Sequence, residues 1–416
     1  MKKNTSKKIE QILSIINSEE SSFKSYNPST KAILHKENFI RFLKGKDLEI
    51  KPVTMETVLS LECNQRCSRC TYWQNQAKLK PGTNRLMSEE TFDKLLLQLK
   101  DFPETKSMIF AGGGEPMMNP NCVRFIRKAT QKGFKIALFT NGTLFTQKRI
   151  DDIIDIGTSI VRISLNAGTL KTHASMFGYD LKKDYFSTVI DNITKLAISN
   201  AKNNYKTNLG IGVIISEKNC SEISEIADLI IKINKLSKGG ISNIAFRPEI
   251  AYFDKNLEVV TSQPNKDIFA NISDKIEKEI GEKMRFNNIN LIVNRFGFKH
   301  LSSKYQNVPN IVTPWVTCCD YDGKLHIMTE YNGMDKYCFG DINKESISEA
   351  WSSQKRKDFV SDMSNNKIKS LPYYKLLPLN KSLYKIRQEV GILSDKEIKA
   401  LYTRLPKKLT DDYAFI

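Results

Sequence analysis

From residue 54 onward, short apolar runs alternate with amphipathic helical patterns, which restricts the chain to successive βα units around a parallel sheet. Six runs carry the strands: Thr54–Leu61, Met108–Ala111, Ile136–Thr140, Val161–Leu165, Leu209–Ile215 and Ile244–Arg247. Each is rich in β-branched or other apolar residues, and most end at a Gly, Pro, Asn or Ser that starts a turn. The intervening helices are legible from their ends. Ser88-Glu89-Glu90 supplies an N-cap and first-turn acids ahead of Phe92, Leu95, Leu96 and Leu99 at helical spacing. Cys122–Lys132 reads as a helix stopped by Gly133, and Ser221–Leu236 places Ile223, Ile226, Ala227, Ile230 and Ile233 on one face. The expected fold is α/β: a partial (β/α)6 TIM-like barrel with a helical N-terminal lead-in and a small C-terminal α+β extension. Chemistry is expected where the strands' C-terminal ends meet the loops.

The expected division is a helical extension over 1–50, the core barrel over 51–260 and a polar connection over 261–312 with a helix at about 267–281. A strand-and-turn module around Asp322-Gly323 fills 313–352, and a helical, Lys-rich tail fills 353–416. There is no internal repeat beyond the βα alternation. Lys and Arg number 64 against 46 Asp and Glu, a net charge of +18 with no block of five like charges, so a solvated surface is favoured over a nucleic-acid face. The N-terminus is basic and weakly amphipathic, but Glu10, Gln11 and Ser14 interrupt any signal core, and no apolar run approaches membrane-spanning length. A reducing cytoplasm is the expected compartment, with no membrane partner.

Three of the eight cysteines crowd into Cys63-Asn64-Gln65-Arg66-Cys67-Ser68-Arg69-Cys70, directly after the first strand. Three thiolates on one loop can hold three corners of a cubane iron–sulfur cluster and leave the fourth iron open. A zinc site completed from elsewhere, or three buried thiols, are the alternatives on spacing alone. After the second strand comes Phe110-Ala111-Gly112-Gly113-Gly114-Glu115-Pro116. Its glycines let backbone approach a ligand, Glu115 offers an acceptor for an ammonium group, and Pro116 stiffens the turn.

Together and in this order, C-x3-C-x2-C and Gly-Gly-Glu-Pro resemble the hallmarks of the radical S-adenosylmethionine (SAM) superfamily. The resemblance implies a 4Fe–4S cluster on Cys63, Cys67 and Cys70, with SAM bound to the open iron and contacted by Gly113, Gly114, Glu115 and Pro116. Phe139-Thr140-Asn141-Gly142 looks like the family's Thr-Asn-Gly turn, and Ser164-Leu165-Asn166 sits where relatives bind SAM's ribose or carboxylate. This adds Asn141, Ser164 and Asn166 as cofactor contacts, against a competing reading of Ser164 and Asn166 as turn or cap residues. Gly210 and Gly212, with Val213 and Ile214, are read equally as adenine neighbours or core. Where the family often has an aromatic residue before the third cysteine this chain has Arg69, with Tyr72 and Trp73 as substitutes. The implied chemistry is reductive cleavage of SAM to a 5′-deoxyadenosyl radical that takes hydrogen from a substrate, with flavodoxin or ferredoxin as a fitting reducing partner.

Cys318, Cys319 and Cys338, near Asp322-Gly323, resemble a SPASM or twitch domain, which holds auxiliary iron–sulfur clusters in many relatives. Ile327 and Met328 occupy the place of a further cysteine, so a cluster-free remnant is favoured over an auxiliary cluster. Cys122 and Cys220 are expected to be ordinary buried thiols. His35, His173, His300 and His326 are expected to pack or to sit on the surface rather than act as bases, while Arg247 and Glu249 are candidate substrate contacts at the mouth. The lead-in His35–Phe39 and Lys51–Glu56 is similar to that of carbohydrate and nucleoside radical SAM proteins, and residues 161–177 look like those of nucleoside-antibiotic decarboxylases. A small polar substrate such as a sugar or nucleoside is therefore expected, undergoing dehydrogenation, elimination, epimerisation or decarboxylation. A peptide-modifying SPASM enzyme, a non-catalytic iron–sulfur or nucleic-acid-binding protein, and a methyltransferase without a cobalamin signature are the competing readings.

Overall fold

The alternation builds one ten-stranded sheet, ordered β12-β11-β10-β1-β2-β3-β4-β5-β6-β9. The computed structural model describes residues 2–17, 32–67, 70, 85–249, 251–253, 259–262, 271–294, 309–365 and 376–405. The six expected strands are β1 (Thr54–Thr57), β2 (Ser107–Phe110), β3 (Lys135–Thr140), β4 (Ile160–Ser164), β5 (Asn208–Ile215) and β6 (Asn243–Pro248). A separate hairpin, β7 (Ala251–Phe253) and β8 (Val259–Ser262), follows. Beyond it lie β9 (Asn290–Val293), β10 (Val316–Cys319), β11 (Lys324–His326) and β12 (Cys338–Asp341). Pairing is parallel from β10 through β1–β6 to β9, and antiparallel only for β11 and β12. The sheet stays open, with β9 and β12 as its edges.

The helices between strands form where the caps foretold. Ser88 accepts a hydrogen bond from the Thr91 N–H to open α1 (Glu89–Gln98), and α2 (Cys122–Gln131) ends before Gly133 in the left-handed region. Next come α3 (Gln147–Asp155), α4 (Leu170–Phe177), α5 (Tyr185–Lys202) and α6 (Ile223–Leu236). Three expectations shift. Strand pairing in the first run stops at Thr57, because the chain then turns to bridge Ser60 to Leu86 and to meet the glycine turn. The helix expected at 267–281 is α7 (Ile272–Phe286), since its buried stripe Ile272, Ile276, Ile280 and Met284 runs past 281; residues 263–270 lie outside the described set. Two more parallel strands, β9 and β10, flank the expected six.

Strand alternation sorts the sheet into two faces. Val161, Ile163, Leu209, Ile211, Val213, Ile215, Ile244 and Phe246 join the main apolar core with the helices. Their neighbours Arg162, Ser164, Gly210, Gly212, Asn243, Ala245 and Arg247 therefore face the inner side. On β1 the same rule turns Glu56 and Val58 inward, and Val58 packs with Leu61 and Cys318 apart from the main core. The inner face is thus lined by polar and small side chains. At 25 cal/mol per Å² of apolar surface, a large Ile or Phe side chain on the helix-facing side contributes about 1.5–3 kcal/mol, and the inner face forgoes most of that.

Candidate functional site

Three loops at the C-terminal ends of β1, β2 and β3 lock together. The Gly114 N–H donates to the Ser60 carbonyl at 2.7 Å and the Glu115 N–H to the Glu62 carbonyl at 2.8 Å, laying the glycine turn along the segment that leads into Cys63. Gly113 has φ +66°, and a Cβ there would meet Val58 Cγ1 at 2.5 Å; a Cβ on Gly114 would drive into the Glu62 carbonyl. The glycines are demanded first by the chain's own close approach.

Glu115, only 3% exposed, braces this turn to the next. Its carboxylate accepts from Thr140 Oγ1 at 2.6 Å, the Asn141 N–H at 2.7 Å and the Met117 N–H at 3.1 Å. Burial raises its pKa, and these three hydrogen bonds oppose the rise. Both oxygens are thus engaged by the protein, where the sequence had suggested an acceptor for an ammonium group. Asn141 continues the brace: its Nδ2 donates to Asn64 Oδ1 at 2.8 Å, while Asn64 Nδ2 donates to Thr143 Oγ1 at 2.8 Å. The Thr-Asn-Gly turn therefore grips the cysteine loop at the residue after Cys63.

The loop's other side rests on α4. The Arg66 N–H donates to the Phe177 carbonyl at 2.9 Å, and Gly178, at φ +65°, packs so closely on the Arg66 backbone that no Cβ fits. Cys63, Cys67 and Cys70 are each partly exposed. Burial pushes the Cys63 thiol up to about 11, opposed by the Gln65 N–H that donates to its sulfur. The Cys67 thiol is also raised, by burial and then by the nearby Cys70 and Cys63. Three mutually repelling thiolates in one half-buried loop require a cationic centre to coexist. Among the described residues no three His, Cys, Asp or Glu side chains converge to hold a single metal ion, and a cubane asks instead for one thiolate on each of three irons. The buried Gln65 Nε2, without a hydrogen-bond partner, is a further donor left over inside this loop. The donor set fits an iron–sulfur cluster. Arg69, Tyr72 and Trp73 lie outside the described residues.

Ser164 ends β4 on the inner face, half-buried. Asn166 sits at φ +55° with Oδ1 accepting from the Ile214 N–H at 2.7 Å and its carbonyl accepting from Asn219 Nδ2 at 2.7 Å. It works as a turn residue tying β4 to β5. Arg247 lies on β6 near its C-terminal end, and the Glu249 N–H donates to the Ile215 carbonyl.

The second cysteine group is built differently. Cys318 and Cys319 stand side by side on β10, opposite Glu56 and Thr57 of β1, both fully buried. Alternation sends them to opposite faces, Cys318 toward Val58 and Leu61 and Cys319 into the main core, so the two cannot share one cluster. Cys338 Sγ donates to the Gly340 carbonyl at 3.2 Å. Cys122 is buried as expected, whereas Cys220 is partly exposed in the turn before α6 and donates to the Glu217 carbonyl. His35, His173 and His326 are buried packing residues, and His300 lies outside the described set. His173 pairs its Nδ1 with the Tyr179 hydroxyl at 2.6 Å beneath Phe177.

Sequence reading missed Glu56, Arg162 and Asn243 on the inner face. Arg162 lies 4.8 Å over the Phe139 ring and against the bare backbone of Gly212. For Arg162 the signal was available as a lone polar residue between Val161 and Ile163.

Comparison with known proteins agrees with this arrangement. Residues 57–230 match the family model of the Radical SAM superfamily. The chain is 22% identical over 312 residues, 71% of its length, to a tungsten-containing aldehyde ferredoxin oxidoreductase cofactor-modifying protein of Pyrococcus furiosus, of which it covers 80%. It is 25% identical over 134 residues to the dTDP-4-amino-4,6-dideoxy-D-glucose ammonia-lyase of Streptomyces venezuelae, spanning 32% of this chain and 27% of that enzyme. Its fold is similar to that of Streptococcus suis SuiB bound to its precursor peptide SuiA, with a TM-score of 0.56 at 14% identity, covering 96% of this chain and 83% of SuiB. No helix among the described residues is long and apolar enough to cross a membrane. The family match, the strand order and the cysteine and glycine loops agree: residues 57–230 form a radical SAM domain, and the chain is an enzyme that uses SAM and a 4Fe–4S cluster.

Proposed function

We propose that Cys63, Cys67 and Cys70 hold the cluster, that Gly113, Gly114, Glu115, Pro116, Asn141, Ser164 and Asn166 form the SAM-binding rim, and that the substrate is a small polar molecule, a sugar or nucleotide. When bound and reduced, the cluster supplies the electron that cleaves SAM and so provides a hydrogen-abstracting radical. The protein's share is positioning. Glu115 and Asn141 hold three loops in one register, so the cluster loop and SAM rim keep their spacing when the electron arrives. Val58, Leu61 and Cys318 seal the wall behind them against water.

The observation that carries the substrate class is the inner face. Glu56, Arg162, Asn243 and Arg247 bring charge and hydrogen-bonding groups to it, and Gly210 and Gly212 on β5, lacking side chains, leave room for the Asn243 and Arg162 side chains to lie across the sheet. Such a wall suits a hydroxyl-rich or phosphorylated ligand better than an apolar one. The likeness to a nucleotide-sugar ammonia-lyase supports the same class. A one-electron donor of flavodoxin or ferredoxin type fits as partner.

The test is anaerobic reconstitution with iron and sulfide, followed by measurement of iron content and of 5′-deoxyadenosine released from SAM with dithionite, with and without a panel of nucleotide sugars. About four irons per chain and release stimulated by one member of the panel are expected. Stimulation by peptides alone would transfer the enzyme to the peptide-modifying class, and zinc in place of iron would overturn the cluster assignment.

A further inference from the structure

The far side of the cysteine loop is held by a carbonyl at the end of a helix. The Phe177 carbonyl, which accepts the Arg66 N–H at 2.9 Å, belongs to the last turn of α4, where a helix leaves its carbonyls without internal partners. Gly178 stops the helix at φ +65°; its N–H donates to the Ala174 carbonyl at 2.9 Å, and its backbone packs against the Arg66 carbonyl. Arg66 passes this hold on toward the first thiol, since its Nη1 donates to the Cys63 carbonyl and, at 2.9 Å, to that of Gln65. The orientation of the segment between Cys63 and Cys67 thus depends on how firmly α4 ends.

A histidine and a tyrosine fix that end. Tyr179, the second residue past the helix, folds back so that its hydroxyl meets His173 Nδ1 at 2.6 Å. The His173 ring lies 4.4 Å from that of Phe177 and 5.5 Å from that of Phe186, and the Tyr179 ring meets Tyr185 edge-on at 5.0 Å. The clasp therefore joins the last turn of α4 to the first turn of α5. His173 is fully buried, burial lowers its pKa to about 4, and its Nε2 has no hydrogen-bond partner. A ring nitrogen left unsatisfied in an aromatic box weakens the fold. Packing alone does not account for an imidazole there, whereas the bond to Tyr179 does.

We propose that His173 and Tyr179 are positioning residues for the cluster: their hydrogen bond sets the end of α4 and, through the Phe177 carbonyl, holds Arg66 and the thiols to either side of it. The inference rests on the reading that Cys63, Cys67 and Cys70 are the ligands. Partners one step out from a metal's ligands orient those ligands and tune how tightly the metal is held. Without the clasp, the Gln65–Arg66 segment loses its fixed support, which loosens the set of thiols and disturbs the N–H groups around the sulfurs that tune a cluster's electronic properties.

The test uses the full chain, reconstituted anaerobically with iron and sulfide, and reads iron release to a chelator and the EPR spectrum of the dithionite-reduced cluster. Tyr179→Phe removes one hydroxyl from a partly exposed ring and keeps its aromatic contacts; it is expected to release iron about fivefold faster than the native chain and to show a displaced spectrum. His173→Phe is expected to do the same, and His173→Asn, whose amide puts a polar atom where Nδ1 stood, to stay close to native. Thr169→Ala is the control, because it removes the cap at the opposite end of α4, where Thr169 accepts from the Thr172 N–H. It should weaken the helix and leave iron release and spectrum unchanged. Native behaviour in Tyr179→Phe, or the same change in Thr169→Ala, overturns the positioning role. Should His173→Phe fail to fold, the tyrosine variant alone decides. Iron that stays in a Cys63/Cys67/Cys70 triple alanine variant overturns instead the ligand assignment on which the proposal stands.

Discussion

Two cysteine-bearing regions lie on neighbouring strands, and they show what makes a thiol available to a metal. Cys63, Cys67 and Cys70 sit on a loop beyond the end of β1, each partly exposed, with backbone N–H groups turned toward the Cys63 and Cys67 sulfurs. Cys318 and Cys319 sit inside β10, hydrogen-bonded in register with that same strand and wholly buried. Spacing along the chain is similar in neither geometry nor consequence. On the loop, gaps of three and two residues keep all three thiols together on one partly exposed segment. On the strand, a spacing of one places neighbours on opposite faces, and burial raises both thiol pKa values.

The largest expected effect breaks the comparison directly. Replacing Cys63, Cys67 and Cys70 together by alanine should remove essentially all iron and all SAM cleavage, because no other cysteine can take over a corner. Replacing Cys318 and Cys319 together by alanine should leave about four irons per chain and cost stability by only about 1–2 kcal/mol per site, as buried thiols lose packing. Iron analysis and denaturant unfolding on the two variants measure both. Loss of half the iron in the Cys318/Cys319 variant would give the C-terminal region a cluster of its own and collapse the contrast.

A second, smaller effect concerns how the loop is held. Gly114→Ala leaves every cysteine in place but puts a Cβ into the Glu62 carbonyl, where backbone rather than a flexible side chain must move. A loss of about 3 kcal/mol or more is expected, together with reduced iron retention, since Glu62 immediately precedes Cys63. Gly157→Ala provides the contrast: its backbone is left-handed, at φ +73°, where that of Gly114 is not, and nothing lies within 4 Å of the added carbon, so it reads backbone strain without a clash. If the two variants behave alike, the glycine turn's contact with the cysteine loop is not what selects glycine at position 114.

These two regions also mark how far the sequence could be read. The six βα strands were legible because their helix-facing residues are buried and written as β-branched or other apolar types between turn residues, and the cluster loop was legible because its residues are contiguous. Glu56 was not, since only the parallel register of β1 with β10 brings it beside Cys318. The glycines were recognised, but their immediate neighbour is Glu62 rather than a ligand, a contact that depends on how two loops approach in space. Asn166 was read as cofactor contact or turn residue, and its left-handed backbone and the Ile214 hydrogen bond give it turn work. Arg356, 2% exposed and 3.6 Å over the Trp351 ring, left no trace, because a helix start that also carries Lys355 and Lys357 looks solvated until its partner surface is known.

The smallest effect sharpens the buried side of the comparison. Asp320, next to Cys319 and 2% exposed, has its carboxyl pushed up to about 7 by burial and then by Asp322, despite the N–H groups of Tyr321 and Gly333 that donate to it. The folded state therefore holds this proton where the unfolded chain, at about 3.8, has released it. Folded protein binds more protons across that window, so this group's contribution to stability is fully present below 3.8 and is lost as pH rises toward about 7. Asp320→Asn removes the titration while keeping the shape. Relative to the asparagine variant, the native chain should lose on the order of 2 kcal/mol between pH 4 and 7, less than the full linkage because water and relaxation soften a buried charge. Urea unfolding of both proteins across that range measures the difference. A difference that stays flat with pH would mean that Asp320 is already ionised in the folded state and that the β10–β11 turn tolerates buried charge, making the two cysteine regions more alike than their burial implies.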